Sequence, residues 1–141
     1  MQTFLPNKSF KISAQMLDNK RLGKQRVEVL QILKALTLEK YGWKNHPATK
    51  MWVGHLNELV QYGTEICLEW RTRGFKDTCL EKIQAFHQYD IEQTMPEWWG
   101  NEALHSSHRA NLIRKDYVHY SKFNWAEMKS DYLGTSYYWP V

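Results

Sequence analysis

The sequence predicts an all-α fold in a single domain. Apolar residues recur at spacings of three and four over long stretches. No alternating run of strand length interrupts them, and Gly and Pro fall between the periodic segments. Internal repeats, low-complexity tracts and Gly/Ser linkers are absent from the 141 residues, so one compact bundle is expected.

Residues 1–6, MQTFLP, read as an extended arm ending at Pro6. A first helix is expected from about Ser13, as N-cap, to about Lys40, with Gly42 as its stop. Its stripe is Leu22, Val29, Leu33 and Leu36, joined by Ile32. YGWKNHPAT is turn-like. A second helix is expected from about Ala48 to Arg73, burying Trp52, Leu56, Leu59, Ile66 and Trp70, with Gly74 after it. Residues 79–90 form a shorter candidate, and MPEWWGNE reads as a loop. A third main helix is expected over about 106–120, with Ala110, Ile113 and Tyr117 on one side. The tail YLGTSYYWPV is aromatic and irregular, and must pack on the body to be stable.

Hydrophobic residues make up 43%, with seven Trp and eight Tyr, which excludes a disordered chain. No apolar run approaches the ~18 residues that span a bilayer, and MQTFLPNKSF lacks a secretory core. The two cysteines, Cys67 and Cys79, form no CxxC pair or disulfide framework. A cytoplasmic protein that does not contact a membrane is the expectation.

Net charge is +4, but it is unevenly placed. Residues 1–50 carry ten Lys/Arg against three acids, while the remainder is mildly acidic. One face suited to a polyanion follows from that asymmetry, or else a solvated lysine-rich surface.

On a helix, Leu17, Arg21, Lys24 and Glu28 recur at steps of four, three and four and share one ridge, with Gln25 beside it. Spacing alone leaves two readings open. One is a Lys24–Glu28 ion pair; the other is a general acid/base in a cationic groove that holds phosphates. His105 and His108 form an HxxH without a third ligand at convincing spacing, so no metal is expected. HSSHRANLIRK mixes hydroxyls, His108, Arg109, Arg114 and Lys115 near an expected helix start, which suits phosphate contacts or simple capping. Trp43, Trp98 and Trp99 lie in loops and could stack on bases or belong to the core.

Four segments together resemble a known family. MQTFLP followed by LDNKRLGKQRVE, then CLEWRTRGFKDT, HSSHRANLIRKD and the aromatic tail are similar to segments of the pyrimidine-dimer DNA glycosylases of the endonuclease V type. GWKNHP, MWVGH, EWRTRG, SHRANLIRK and the terminal WP resemble, more closely, small bacterial and phage members of that superfamily.

The resemblance implies a compact helical domain with the N-terminal arm threaded between helices. It implies a DNA glycosylase with AP-lyase activity on damaged or modified pyrimidines in double-stranded DNA, monomeric and without cofactor. An α-amine attacks C1′, an imine forms, and β-elimination cuts the strand. Glu28 matches the family's catalytic Glu, Met1 aligns with the nucleophilic amine, and Arg21 falls beside the substrate. Candidate DNA contacts are Lys20, Lys24, Gln25 and Arg26 on the first helix. His46 in the connector and Lys50 at the start of the second expected helix join them, as do His108, Arg109, Arg114 and Lys115. Gln2 is too large for the usual removal of the initiator, so the amine belongs to Met1. Val27 stands where the family has an arginine before Glu, and Arg26 sits one step earlier, ~100° around the helix.

A free α-amino group has a pKa of ~7.7–8.0, more than two units below a lysine, so a useful fraction is unprotonated near neutrality. The competing expectation is a non-catalytic nucleic-acid-binding module of the same fold.

Overall fold

The computed structural model describes residues 1–132 and 134–141, with the backbone alone at Ser130. Leu133, within the aromatic tail, lies outside the described residues. Among the described residues the regular structure is entirely helical. Seven α-helices follow in order: α1 Phe10–Met16, α2 Asn19–Thr37, α3 Pro47–Lys50, α4 Leu56–Thr72, α5 Leu80–Gln84, α6 Glu102–Lys115 and α7 Tyr117–Tyr120. Short 3-10 turns at Ser121–Phe123, Ala126–Met128 and Ser130–Tyr132 lead into the tail. The three main helices are α2, α4 and α6.

The expected first helix is two helices. Leu17 and Asp18 are extended, and Asp18 caps α2 by accepting from the Arg21 N–H. Tyr120 fixes this corner: the Asp18 N–H donates to its hydroxyl at 3.0 Å, and that hydroxyl donates to the Asp18 carboxylate. The cap of α1 is Ser9, whose Oγ accepts from Ile12 N–H, and not Ser13. Ser13 is buried, with its Oγ donating to Asn7 O. α2 ends at Thr37 rather than Lys40; Leu38 is extended and Lys44 Nζ reaches the free carbonyl of Ala35 at 2.8 Å.

The expected second helix is also divided, at Gly54, where φ is +82°. Pro47 opens α3 at its first turn behind the His46 cap, a position where the missing N–H is harmless. α4 then stops one residue before Arg73, with Gly74 at φ +91°. α6 begins earlier than expected because Asn101 accepts from Ala103 N–H, so HSSHRANLIRK lies inside a helix rather than at its start. Asp116 ends it and caps α7.

α2 and α4 approach closely because two positions lack a side chain. A Cβ on Gly63 would come within 2.6 Å of Val29 Cγ1, and one on Gly23 within 2.8 Å of the Trp70 ring. The core between them holds Leu22, Val29, Ile32, Leu33, Leu59 and Ile66, all fully buried. Burying one such side chain contributes about 1.5–3 kcal/mol.

The arm, residues 2–5, is buried between α2, α4 and α6. An extended segment in a core must have its peptide groups paired, and side chains supply the partners. Gln25 accepts from Phe4 N–H at 3.0 Å and donates to Gln2 O at 2.6 Å. Tyr62 Oη donates to Phe4 O, and Trp52 Nε1 donates to Thr3 Oγ1. Leu5 N–H donates to His108 Nδ1, and Leu5 O accepts from His105 Nδ1. Arg109 donates to Pro6 O at 2.9 Å.

Candidate active site

This anchoring delivers Met1 to a cleft of about 290 Å³. The N-terminal turns of α2 supply Lys20, Arg21 and Lys24 to its wall, and the next turn supplies Glu28. The end of α6 adds Lys115, the tail adds Tyr137, and Gln2 and Phe4 complete the lining with Met1. Four cationic side chains and the Met1 ammonium therefore share the cleft with one carboxylate.

Glu28 is 13% exposed at its side chain. Burial pushes its carboxyl above the ordinary value. The Met1 ammonium, Lys24, the Gln2 peptide N–H and Lys115 act in the opposite direction without cancelling it. Gln25 Nε2 donates to Glu28 Oε2 at 3.4 Å, and Lys24 Nζ is 3.9 Å from Oε1. That Lys24 is 73% exposed, so the pair is a loose one worth a few tenths of a kcal/mol at about the level of surface pairs. Glu28 is thus a partly desolvated carboxyl beside an amine, able to exchange a proton with a group placed between them.

Arg21 reaches back to Asp18 at 3.1 Å while lining the cleft. Burial raises the Asp18 carboxyl, but the Tyr120 hydroxyl and Arg21 outweigh it and hold that carboxyl below its usual range. Tyr137 packs edge-to-face on His108 and against Phe4 and Trp139, and burial pushes its phenol up to about 12. His46 does not line the cleft but feels the charge of the amine. Burial, then the Met1 ammonium, lower its pKa, and its ring contacts Trp43 and Trp139.

The expected contact residues separate into two groups. Lys20, Arg21, Lys24 and Lys115 gather at the cleft around Met1 and Glu28. Gln25 and His108 do not reach a ligand surface: both are fully buried and hold the arm. Arg26 turns away from the cleft, donating to Asp77 at 2.6 Å and stacking over Trp70. Arg109 is a clamp between Glu127, Glu102 and Pro6 O. Arg114 donates to Thr135 O and Asn111, tying the tail to α6. Lys50 is exposed on a different face, beside Trp139 and Met51. Val27 is 46% exposed and brings no charge next to Glu28.

The HxxH histidines grip opposite sides of the Leu5 peptide. His105 Nε2 accepts from Gly100 N–H, leaving Nδ1–H for Leu5 O. Trp98 is core, with its indole donating to Met51 O; Trp99 donates to Lys8 O at the surface. Among the three tryptophans only Trp43 is more than half exposed.

A family model described as pyrimidine dimer DNA glycosylase matches residues 1–83, well over half the chain. The chain belongs to that family. The matched segment carries the arm, Met1, Glu28 and the cations of α2, whereas Lys115 and Tyr137 come from beyond it. No curated protein and no solved structure matches the chain. Membership makes a pyrimidine dimer DNA glycosylase the coarse description, with DNA as substrate. No described helix is long and apolar enough to cross a membrane.

The segment CLEWRTRGFKDT has a structural task. The Asp77 side chain is shielded from solvent and accepts from Arg26, from Arg71 and from the N–H groups of Cys79 and Leu80. Arg73 donates to Ala14 O and Gln15 O at the end of α1. Tyr137 and Phe4 were not singled out from the sequence as cleft residues. The one signal for Tyr137 was an aromatic tail that had to dock somewhere.

Proposed function

We propose that the protein is a DNA glycosylase and AP lyase for damaged or modified pyrimidines in duplex DNA. The α-amine of Met1 is the nucleophile and Glu28 the acid/base, within one domain over residues 1–141 that acts as a monomer. The observation that carries this reading is the half-buried Glu28 carboxyl within the field of the Met1 ammonium, inside a cleft walled by cations.

The unprotonated amine adds to C1′ as the bond from C1′ to the base breaks, and the base leaves with the electron pair and gains a proton. Glu28 protonates the ring oxygen, the sugar opens, and loss of the amine's proton gives the imine. Removal of a C2′ proton expels the 3′-phosphate, cutting the strand by β-elimination. Water then hydrolyses the imine and returns the amine. A carboxyl with a raised pKa suits the protonating steps, because it keeps its proton closer to neutrality. Lys20, Arg21, Lys24 and Lys115 hold phosphates on either side of the flipped nucleotide, whose extrusion costs a few kcal/mol.

Borohydride trapping tests the reading. Duplexes carrying an abasic site, a cyclobutane dimer or a modified pyrimidine are offered in turn. The expected result is a covalent adduct whose mass places the DNA on the N-terminal peptide, lost when the N-terminus is acetylated. Glu28→Gln should stop turnover with duplex affinity kept. Absence of adduct on every substrate, with binding intact, removes the chemistry and leaves a nucleic-acid-binding module.

A further inference from the structure

Trp52, Trp70, Trp98 and Trp99 each donate the indole N–H to an oxygen of the protein. Trp43, in the connector between α2 and α3, does not. Its indole has no hydrogen-bond partner among the described residues, and the residue is 51% exposed.

Its backbone is also out of character. Among the described residues only Trp43 and Asn124 combine a side chain with a positive φ, and Trp43 stands at +72°. Asn tolerates that region, whereas a bulky L residue is strained there. Glycine would fit position 43 freely, yet an indole is held in it. The surrounding connector is pinned. His46 N–H donates to Trp43 O at 3.1 Å, Lys44 Nζ to Ala35 O at 2.8 Å, and Ala48 N–H to His46 Nδ1 at 3.0 Å. The ring is therefore presented with little left to order on binding.

A row of rings joins Trp43 to the catalytic cleft. Tyr137, in the cleft wall, meets Trp139 at 5.7 Å between centroids. Trp139 meets His46 at 5.9 Å, and His46 meets Trp43 edge-to-face at 5.7 Å. Burial and the nearby Met1 ammonium lower the His46 pKa, which keeps this ring uncharged at neutral pH. The row thus offers the DNA π-faces without charge, next to a cleft whose cations suit phosphates.

Paired duplex DNA shows a protein phosphates, sugars and base edges. Base faces come free only where a nucleotide has left the stack. An exposed, rigid and uncharged indole near the attacking amine matches that gap and nothing else on the duplex. We propose that Trp43 enters the gap left by the flipped nucleotide and stacks on the flanking base of the same strand, supported from the body by His46 and Trp139. This rests on the cleft being where Met1 attacks a flipped nucleotide. Trp43 is then a positioning residue, holding the duplex open without touching the amine or C1′.

The test uses the full chain and duplexes with a tetrahydrofuran abasic analogue, which forms no imine. The fluorescent base 2-aminopurine is placed either beside the gap in the same strand or facing it in the other. Binding of the parent chain should quench the flanking 2-aminopurine. Trp43→Ala should leave it bright and bind this duplex about tenfold more weakly, with affinity for undamaged duplex kept. The salt slope should not change, because no phosphate contact is lost. Trp43→Phe should retain most of the quenching. Should Trp43→Ala not fold, Trp43→Gly decides: it relieves the backbone at +72° and should lose the quenching equally. Parental quenching by these truncations, quenching confined to the facing base, or equal loss of affinity on both duplexes would overturn the proposal. Borohydride trapping on a natural abasic duplex separates the two readings. Trapping by the parent without Trp43-dependent quenching overturns the stacking site alone. Trp43-dependent quenching without trapping overturns the Met1 chemistry alone.

Discussion

The carboxamide of Gln25 donates to the carbonyl of Gln2 at 2.6 Å, one residue from the α-amine. The same side chain accepts from Phe4 N–H and lies one helical turn from Glu28 on α2. Gln25 therefore ties the register of the arm directly to the helix that carries Glu28. Gln25→Leu keeps the volume but leaves a buried N–H and a buried C=O unpaired, each costing about 1–3 kcal/mol. Urea unfolding should show a loss of about 2 kcal/mol or more, and imine trapping should fall further than duplex affinity. Trapping at the parental rate with the arm loosened would separate Gln25 from positioning.

Asp77 offers a purely structural contrast. It joins Arg26 on α2 to Arg71 on α4 and caps the chain into α5, with its side chain shielded from solvent. Burial raises its carboxyl, but the Cys79 N–H, Arg26 and the remaining donors outweigh that and hold it low. Asp77→Ala leaves the Arg26 guanidinium and the Cys79 and Leu80 N–H groups without their acceptor, while Arg71 keeps Glu81, and is expected to cost about 1–3 kcal/mol. Glu81, exposed and bonded to the same Arg71, should change the melting temperature little when replaced by Gln. Comparable losses for both variants would contradict the buried hub.

Sequence patterning made the helical class and three main helices legible, because long apolar stripes report burial directly. Boundaries were less legible: Ser13 reads as a cap, but its hydroxyl is taken by Asn7 O, and the chain starts α2 at Asp18, which Tyr120 fixes from 102 residues away. Glu28 stood out as the lone acid among cations. Arg26 and Arg109 looked like phosphate ligands because a guanidinium's sequence neighbours do not reveal its partner. Asp77 is fifty-one residues from Arg26, and Glu127 eighteen from Arg109. Tyr137 was hidden for the same reason, since a tail without periodicity carries no address.

The buried histidines make stability pH-dependent. Burial lowers His108 to about 3, and burial also lowers His105 although the Leu5 carbonyl opposes it. Unfolding exposes both to water, where an imidazole titrates near ~6.5. Between those values the unfolded chain binds more protons, so stability falls as pH drops below ~6.5. For His108 the slope is about 1.4 kcal/mol per pH unit down to its folded pKa. Glu28 runs the other way, since its folded carboxyl holds a proton more tightly. His108→Gln should flatten the decline in urea midpoint between pH 6.5 and 4.5. A decline of the same steepness in that variant would assign it elsewhere.

The two groups of cations should be distinguishable by salt. A lysine that neutralises a phosphate releases a counterion, and removing it lowers the slope of log affinity against log salt by about 0.9. Lys115→Gln and Lys20→Gln should each show that decrease, with affinity lost alike on undamaged and abasic duplexes and with melting temperature unchanged. Arg109 is engaged by Glu127, Glu102 and the arm, so Arg109→Gln should leave the slope alone while lowering the melting temperature by several degrees. Its buried partner Glu127, whose carboxyl is raised by burial but held low by Arg109 and Ser106, would lose its main counter-charge. A reduced slope for Arg109→Gln with unchanged melting would return that guanidinium to the DNA-facing set.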